Sequence, residues 1–276
     1  QKLFAMYKSS YARLPKNWKK VLVEVKHYSF EEQIKLPQII KSESPDLVHF
    51  LHFNVPIFYK GKYVVTIHDL LMHSQKGLSA TTLPAPTYFI KRFGYRTVFD
   101  TAVKNSKKAI VPSKSVKNDL LDFYKIADAK VAVTYEGFDL KIGNGVWKVD
   151  KPYFLYAGNA YPHKNLENLV KAIKLLNIKY NQKVNLAIGS SRNIFTQRLQ
   201  KRIETLSAAK FVHLLGFVPD AKLAYLYKNS TAFVFPSLSE GFGLPGLEAI
   251  SSGTLLIASD IAVFREVYGE NAIYFD

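Results

Sequence analysis

The side chains with the most chemistry in close order are Glu240 and Glu248, with seven residues between them. That interval holds Gly241, Phe242, Gly243, Leu244 and Pro245. The run Thr231 to Phe235 just before it is apolar and reads as a short buried strand. Pro245 suits the first position of a helix, and Gly253 suits its end. The glycines let the backbone turn sharply and let a ligand come close. A helix start offers unpaired N–H groups and a partial positive charge, both of which favour an anion. Glu248 falls about one turn into that helix and can point back toward the loop. Anion-binding amides beside two carboxylates suit a ligand with phosphate and hydroxyls, such as a sugar nucleotide. A plain turn with two solvated glutamates is the competing explanation. The coincidence of strand, glycine loop, proline start and both acids weighs against it.

Two further sites stand at predicted strand ends. Tyr153 to Ala157 reads as a strand, followed by Gly158-Asn159-Ala160-Tyr161-Pro162-His163-Lys164. Asn165 suits a helix cap, and Leu166, Leu169, Val170, Ile173 and Leu176 recur on one helical face. Lys164 then lies at a helix start, where its charge adds to the dipole field around a diphosphate. His68 and Asp69 follow the strand Lys62 to Ile67. A histidine there can bond a sugar hydroxyl or a phosphate, or be satisfied by backbone. Four of the seven histidines fall at 49, 52, 68 and 73, but their spacing is not that of metal ligands.

Strands alternating with helices position these residues. In the first half the strands are Val21 to Val25, Asp46 to Phe50, Lys62 to Ile67, Lys108 to Val111 and Lys130 to Thr134. Ser29 with Glu32 forms a capping box for a helix to about Ser42, which Pro37 should kink or end early. A helix is expected near Pro84 to Lys104, and Ser113 can cap the next one. Residues 73–83 have no period and read as a surface loop on the acceptor side. Gly137 to Asp150 is the expected linker. Beyond it, strands are expected at Val184 to Ile188, Phe211 to Leu214, Thr231 to Phe235, Leu255 to Ala258 and Ala272 to Phe275, and Asp220 can cap a helix. The pattern implies two α/β units with mostly parallel sheets, ligands beyond the strands' carboxyl ends, and a cleft between the units.

Of 276 residues 48% are hydrophobic, and there is no cysteine, which excludes disulfides and thiolate metal sites. No apolar run is long enough to span a membrane. The formal net charge is +16. Residues 1–150 carry 24 basic and 13 acidic side chains, a balance of +11, so the first half is the more basic. Such charge suits anionic ligands or an anionic membrane surface. No nucleic-acid-binding motif is present.

Taken together, these residues resemble the family-4 retaining glycosyltransferases, which have the two-domain GT-B fold. The signature is Glu240-x7-Glu248 within Ser239-Glu240-Gly241-Phe242-Gly243-Leu244-Pro245. Gly158 to Asn165 matches the phosphate loop, Thr66 to Leu70 the first domain's strand-end motif, and Ser259-Asp260 with Arg265-Glu266-Val267 the segment after the signature. The resemblance implies two Rossmann-like domains facing a cleft, residues 1–145 on the acceptor side and 146–276 binding the donor. It assigns Glu248 to the donor's ribose hydroxyls and Glu240 to the donor sugar. Gly241, Phe242, Gly243 and Leu244 would meet sugar and phosphate through their amides, and Lys164 would offset charge on the departing diphosphate. His68 would meet the sugar from the first domain, and backbone near Val218 the base. Catalysis would rest on His68, Lys164 and Glu240.

Many relatives carry an arginine where this chain has Asn159, so Lys164 must do more of the phosphate work. Relatives also begin with a strand and glycine loop before Val21 and continue past Asp276, so the chain is expected to be incomplete at both ends. The implied reaction is metal-independent transfer of a hexose from a nucleotide sugar, GDP-linked by slight preference, to a glycan or lipid-linked acceptor. No Asp-x-Asp pair and no other cofactor is called for. The expected location is cytoplasmic, at the inner face of a membrane. The alternatives are a nucleotide-sugar epimerase on the same fold, a non-catalytic glycan- or membrane-binding relative, and a glycosidase, which needs its carboxylates facing each other across a bond.

Overall fold

Short runs rich in Val, Ile, Phe and Tyr become the strands, and every strand pairing among the described residues is parallel. The computed structural model describes residues 2–7, 16, 18–74, 81, 84–138, 145–147 and 149–276. In chain order the first part runs β1 (Lys2–Tyr7), β2 (Trp18–Val23), α1 (Phe30–Ser42), β3 (Val48–Phe50), β4 (Tyr63–Thr66), α2 (Leu71–Ser74), α3 (Ala85–Asn105), β5 (Lys108–Val111), α4 (Lys114–Tyr124) and β6 (Val131–Val133). The rest runs β7 (Tyr153–Ala157), α5 (Leu166–Ile178), β8 (Asn185–Gly189), α6 (Ile194–Thr205), β9 (Val212–Gly216), α7 (Asp220–Asn229), β10 (Ala232–Phe235), α8 (Leu244–Ser251), β11 (Leu256–Ser259), α9 (Ala262–Tyr268) and β12 (Ile273–Phe275).

The chain divides into two units. One comprises Gln1–His68, Pro84–Val111 and Leu121–Val133; the other comprises Asp69–Leu83, Pro112–Leu120 and Thr134–Asp276. The first holds the pair β1-β2 and the sheet β3-β4-β5-β6. In its core Val65, Ile67, Phe99, Ala102, Ala109 and Val111 are fully buried. The Ser29 cap forms as expected, its hydroxyl accepting from the Glu32 amide at 3.2 Å. Glu32 is itself buried, and its carboxylate is satisfied by the Tyr28 amide, the Asn54 side chain and His27. Pro37 sits inside α1 and does not end it.

The second unit is a six-stranded sheet in the order β12-β11-β10-β7-β8-β9. Leu155, Tyr156, Leu186, Ile188, Phe233 and Phe264 are among its fully buried side chains. β10 is buried along its whole length, as expected of a parallel strand covered on both faces.

Three details depart from the sequence reading. Asn165 is left-handed, at φ +56°, and its side chain makes no cap; it links a 3₁₀ turn, Pro162–Lys164, to α5. Asp220 is the first residue of α7, with Pro219 before it, and it does not cap. His73 is buried in α2 rather than set in a surface loop. Residues 75–80, 82 and 83 of that predicted loop, and 139–144 and 148 of the predicted linker, lie outside the described residues.

Candidate active site

The order of the six-stranded sheet selects a place for ligands. From β7 the chain moves outward through β8 and β9, then returns to the other side of β7 as β10. The strand order therefore reverses between β7 and β10, and loops leaving two such strands diverge to leave a crevice. Those loops are Gly158 to Asn165 and Pro236 to Gly243. They are tied together by the Leu238 amide, which donates to the His163 carbonyl at 2.8 Å.

Lys164 and Glu240 meet here. The Lys164 ammonium pairs with the Glu240 carboxylate, and the two side chains are only 11% and 10% exposed. Lys164 Nζ also lies 5.8 Å from the centre of the Phe235 ring, close enough for the ring's negative face to favour the cation. Thus the side chains assigned to the diphosphate and to the donor sugar hold each other in the structure.

The glycine loop is shaped by an aromatic floor. Gly243 is left-handed at φ +98° and precedes α8. The Tyr268 hydroxyl donates to the Gly243 carbonyl at 2.5 Å. A Cβ on Gly243 would lie 2.2 Å from that hydroxyl oxygen and 2.9 Å from Phe264 Cε1. Only glycine fits both the dihedral and the space. The Gly241 carbonyl accepts from Ser113 Oγ at 2.9 Å. The same segment is held by Glu266, whose carboxylate accepts from the Lys114 and Ser115 amides at 2.6 and 2.9 Å.

Glu248 lies on the second turn of α8, where Tyr227 Oη donates to its Oε2 at 3.1 Å. Burial pushes its carboxyl pKa up; the Tyr227 bond opposes this, and Asp220 adds a smaller upward push. A carboxylate held by one tyrosine keeps lone pairs for a diol.

A hollow of about 200 Å³ lies at the carboxyl ends of β7, β8 and β9, lined by Gly158, Asn159, Ser190, Phe217, Val218 and Leu223 among others. Of the predicted donor-binding residues, Asn159 and Val218 line it; Lys164, Glu240, Glu248 and the Gly241 to Leu244 loop do not. The Asn159 carbonyl accepts from Tyr156 Oη at 2.7 Å. Among the described residues four buried side-chain polar atoms have no partner, and three of them cluster by topology: His163 Nδ1, Ser190 Oγ and Ser237 Oγ, after β7, β8 and β10. An unpaired buried polar atom costs about 1–3 kcal/mol, so three at one end of one sheet mark a surface built to receive hydrogen bonds from elsewhere. Sequence reasoning missed all three. Ser190 was discoverable, because it stands just past the strand expected at Val184 to Ile188, at the end where ligands bind. Tyr227 and Tyr268 gave no signal, since each reads as an ordinary apolar position on a helix.

In the first unit His68 follows β4, and its Nε2 lies 2.9 Å from the Leu51 carbonyl. Its ring stacks on His52 at 6.3 Å. Asp69 turns back to accept from the Leu71 amide. Among the described residues no group of three or more His, Asp or Glu side chains could hold a metal ion.

His163 supplies a pH prediction. Burial, helped by the neighbouring Lys164 charge, lowers its pKa to about 4. The unfolded chain binds that proton near the ordinary value of about 6.5, so acid favours unfolding. Stability is unaffected by this group above about pH 6.5, and it falls as pH drops toward 4. Discounted for partial solvent access, the loss is on the order of 2 kcal/mol. Denaturant titrations at pH 7 and 4.5 should show His163→Gln losing less stability than the parent. Equal losses would contradict the assignment.

The two parallel α/β units, with a crevice at the reversal of strand order, define a GT-B glycosyltransferase fold. Solved structures agree. The chain superposes on sucrose-phosphate synthase from Thermosynechococcus elongatus with a TM-score of 0.73 at 18% identity, over 98% of this chain and 75% of that one. WaaG, a glycosyltransferase involved in lipopolysaccharide biosynthesis, gives 0.67 at 15% identity, over 94% and 73%. The family model for glycosyl transferases group 1 matches residues 139–275, and that for glycosyltransferase family 4 matches residues 12–142. The chain belongs to the family-4 glycosyltransferases. It is 30% identical to the O-antigen chain mannosyltransferase RfbU of Salmonella typhimurium over 90% of its own length, and it spans 65% of that relative. It is 36% identical to the O-antigen chain mannosyltransferase B of Escherichia coli, over 45% of this chain and 32% of that one.

Proposed function

We propose that this chain transfers a hexose from a nucleoside-diphosphate sugar to an acceptor hydroxyl, with retention of configuration and without a metal ion. Mannose from a GDP-linked donor is the favoured substrate, because the two sequence relatives named above are mannosyltransferases. A glycan or lipid-linked glycan is the acceptor, and the cytoplasmic side of a membrane is the place of action.

The observation that carries this reading is the pairing of Lys164 with Glu240 at the β7–β10 reversal, with Glu248 on the helix that follows. In the proposed mechanism the donor's diphosphate takes over Lys164, and the amides at the start of α8 add their partial charge. Glu240, released from the lysine, meets the sugar hydroxyls. Glu248 holds the ribose diol, and Asn159 and the backbone at Val218 border the nucleotide. As bond cleavage proceeds, negative charge grows on the leaving diphosphate, and Lys164 stabilises it in a site where few water dipoles compete. A glycosidase needs two carboxylates facing each other across the scissile bond, whereas Glu240 and Glu248 stand on either side of one helix start, which favours the transferase reading.

Transfer of labelled sugar from a panel of nucleotide donors to a lipid-linked glycan extract tests the proposal, with the product's anomeric configuration read by NMR. An α-linked product from an α-configured donor is expected; an inverted linkage, epimerised free donor or no transfer from any donor would overturn it. Glu248→Ala should raise the donor KM by about 10- to 100-fold, the loss of a charge-assisted hydrogen bond of about 1.5–3 kcal/mol. Since burial raises the Glu248 pKa, the diol-binding anion is lost on acidification at a higher pH than for an ordinary carboxylate. Donor affinity in the parent should therefore weaken as pH falls, and this dependence should vanish in Glu248→Ala.

A further inference from the structure

In the glycine loop the carbonyls are held and the amides are not. The Gly241 carbonyl accepts from Ser113 Oγ at 2.9 Å. The Gly243 carbonyl accepts from Tyr268 Oη at 2.5 Å and from the Gly246 amide at 3.1 Å. Among the described residues, the amides of Gly241, Phe242, Gly243 and Leu244 donate to no protein acceptor. A peptide is planar and trans, so its C=O and N–H point opposite ways. Fixing the Gly241 carbonyl therefore fixes where the Phe242 N–H points, and fixing the Gly243 carbonyl does the same for Leu244. The two peptides differ in what else restrains them. Leu244 opens α8, so its peptide is also set by the helix. The Gly241–Phe242 peptide lies outside any helix or strand, and a glycine before it leaves the backbone free to rotate. The Phe242 ring is buried, 6.0 Å from the Tyr135 ring, so the peptide can turn while the side chain stays in place. The serine bond is what sets its orientation.

Ser113 is itself firmly anchored. It is fully buried, and its one hydroxyl works twice: it donates to Gly241 and accepts from the Val116 amide at 3.1 Å, capping α4. The two amides between them, of Lys114 and Ser115, donate to the Glu266 carboxylate, 152 and 151 positions along the chain. The first amides of a helix are ordinarily left to water. Here a carboxylate from α9 takes two of them in charge-assisted bonds, which are the stronger kind. Ser113, Glu266 and the glycine loop all belong to the second unit. The start of α4 is thus fastened to α9, and its capping hydroxyl reaches the residue next to Glu240.

We infer that Ser113, anchored through Glu266, is a positioning residue that locks the Gly241–Phe242 peptide with the Phe242 N–H presented to the donor's sugar diphosphate, a role that rests on the transfer reading for the identity of its ligand. Without the lock the peptide populates a second orientation in the free protein. The donor then selects the competent one, so its apparent affinity falls in proportion to that population, while the bound state is unchanged. The signature is a raised donor KM at nearly constant kcat. Damage to the fold acts differently: it lowers the amount of active protein, and so kcat, at constant KM.

The test uses Ser113→Gly, which removes the hydroxyl while glycine still caps a helix nearly as well as serine. It should melt close to the parent's temperature, raise the donor KM by about 3- to 10-fold and leave kcat within about twofold. Glu266→Gln, in which one of the two amides loses its acceptor, should shift KM in the same direction by less. A parent-like KM in Ser113→Gly, or kcat lost at unchanged KM, overturns the inference. A second readout needs no turnover. Carbonyl-labelled glycine with nitrogen-labelled phenylalanine marks three peptides for NMR, Gly137–Phe138, Gly216–Phe217 and Gly241–Phe242. Phe138→Leu and Phe217→Leu, both at exposed positions, identify the third signal by elimination. In the ligand-free protein that signal should be single in the parent and doubled or broadened in Ser113→Gly; one sharp signal in both overturns the inference. A parent that neither binds nor transfers any donor defeats the transfer reading, and the NMR signal still decides whether the lock exists.

Discussion

Lys164→Ala is expected to lower kcat by about 100- to 1,000-fold, on the order of 2.7–4 kcal/mol, the usual loss when one buried electrostatic donor to a developing charge is removed. The substitution has a second consequence. Glu240, 10% exposed in its side chain, would be left without its partner. Removing one member of a buried ion pair costs about 3–5 kcal/mol of stability, less where the stranded carboxyl can take up a proton. The two effects can be separated. In Lys164→Ala/Glu240→Gln the unpaired charge is gone, so the melting temperature should return most of the way to the parent's while kcat stays low. If the double variant regained turnover, the lysine would be only a structural partner of the glutamate. If Lys164→Ala alone kept full turnover, diphosphate stabilisation would have to lie elsewhere.

The second large effect is expected at Gly243. Alanine there must adopt φ +98°, a conformation costing a non-glycine residue about 1–3 kcal/mol. Its methyl would also stand 2.2 Å from Tyr268 Oη and 2.9 Å from Phe264 Cε1, on rings that are themselves buried. Overpacking of this kind adds about 1–3 kcal/mol. Gly243→Ala should thus destabilise the protein by about 3 kcal/mol or more, measured by urea titration, and should weaken donor binding because the loop amides are displaced. Tyr268→Phe in the Gly243→Ala background should recover part of the loss by removing the nearest clashing atom. No recovery would show that the dihedral, rather than the tyrosine floor, dominates.

How much of this was legible follows from which interactions are local. The strand at Thr231 to Phe235, the strand at Tyr153 to Ala157 and the amphipathic helix beginning at Leu166 were readable because apolar periodicity is a local property. The Ser29 and Ser113 caps were readable for the same reason: each accepts from an amide three residues on. Helix α6 went unassigned although Asn193 caps it, accepting from the Phe195 and Thr196 amides at 2.9 and 3.0 Å. Strand β1 was missed although Leu3 to Tyr7 is an apolar run. Pro37 misled because a proline seven residues after the helix start reads as a break, while α1 accommodates it.

The site shows the same division. The residue types at 164, 240, 243 and 248 could be named from spacing, and Asn159 from the family resemblance. Their partners could not, because each comes from a distant stretch: Glu240 for Lys164 across 76 positions, Tyr227 for Glu248 across 21, Tyr268 for Gly243 across 25. Asn165 shows a local rule giving way to tertiary demands. A capping residue by type, it takes a left-handed dihedral because the chain must turn from the 3₁₀ segment carrying Lys164 into α5.

Whether the reversal between β7 and β10 holds a nucleotide is answered most directly by calorimetric titration of nucleoside diphosphates onto the full-length protein and its Glu248→Ala variant. Saturable one-site binding of at least one diphosphate, weakened by about tenfold or more in the variant, is the expected result. No heat with any nucleoside diphosphate, or equal affinity in both proteins, would contradict it.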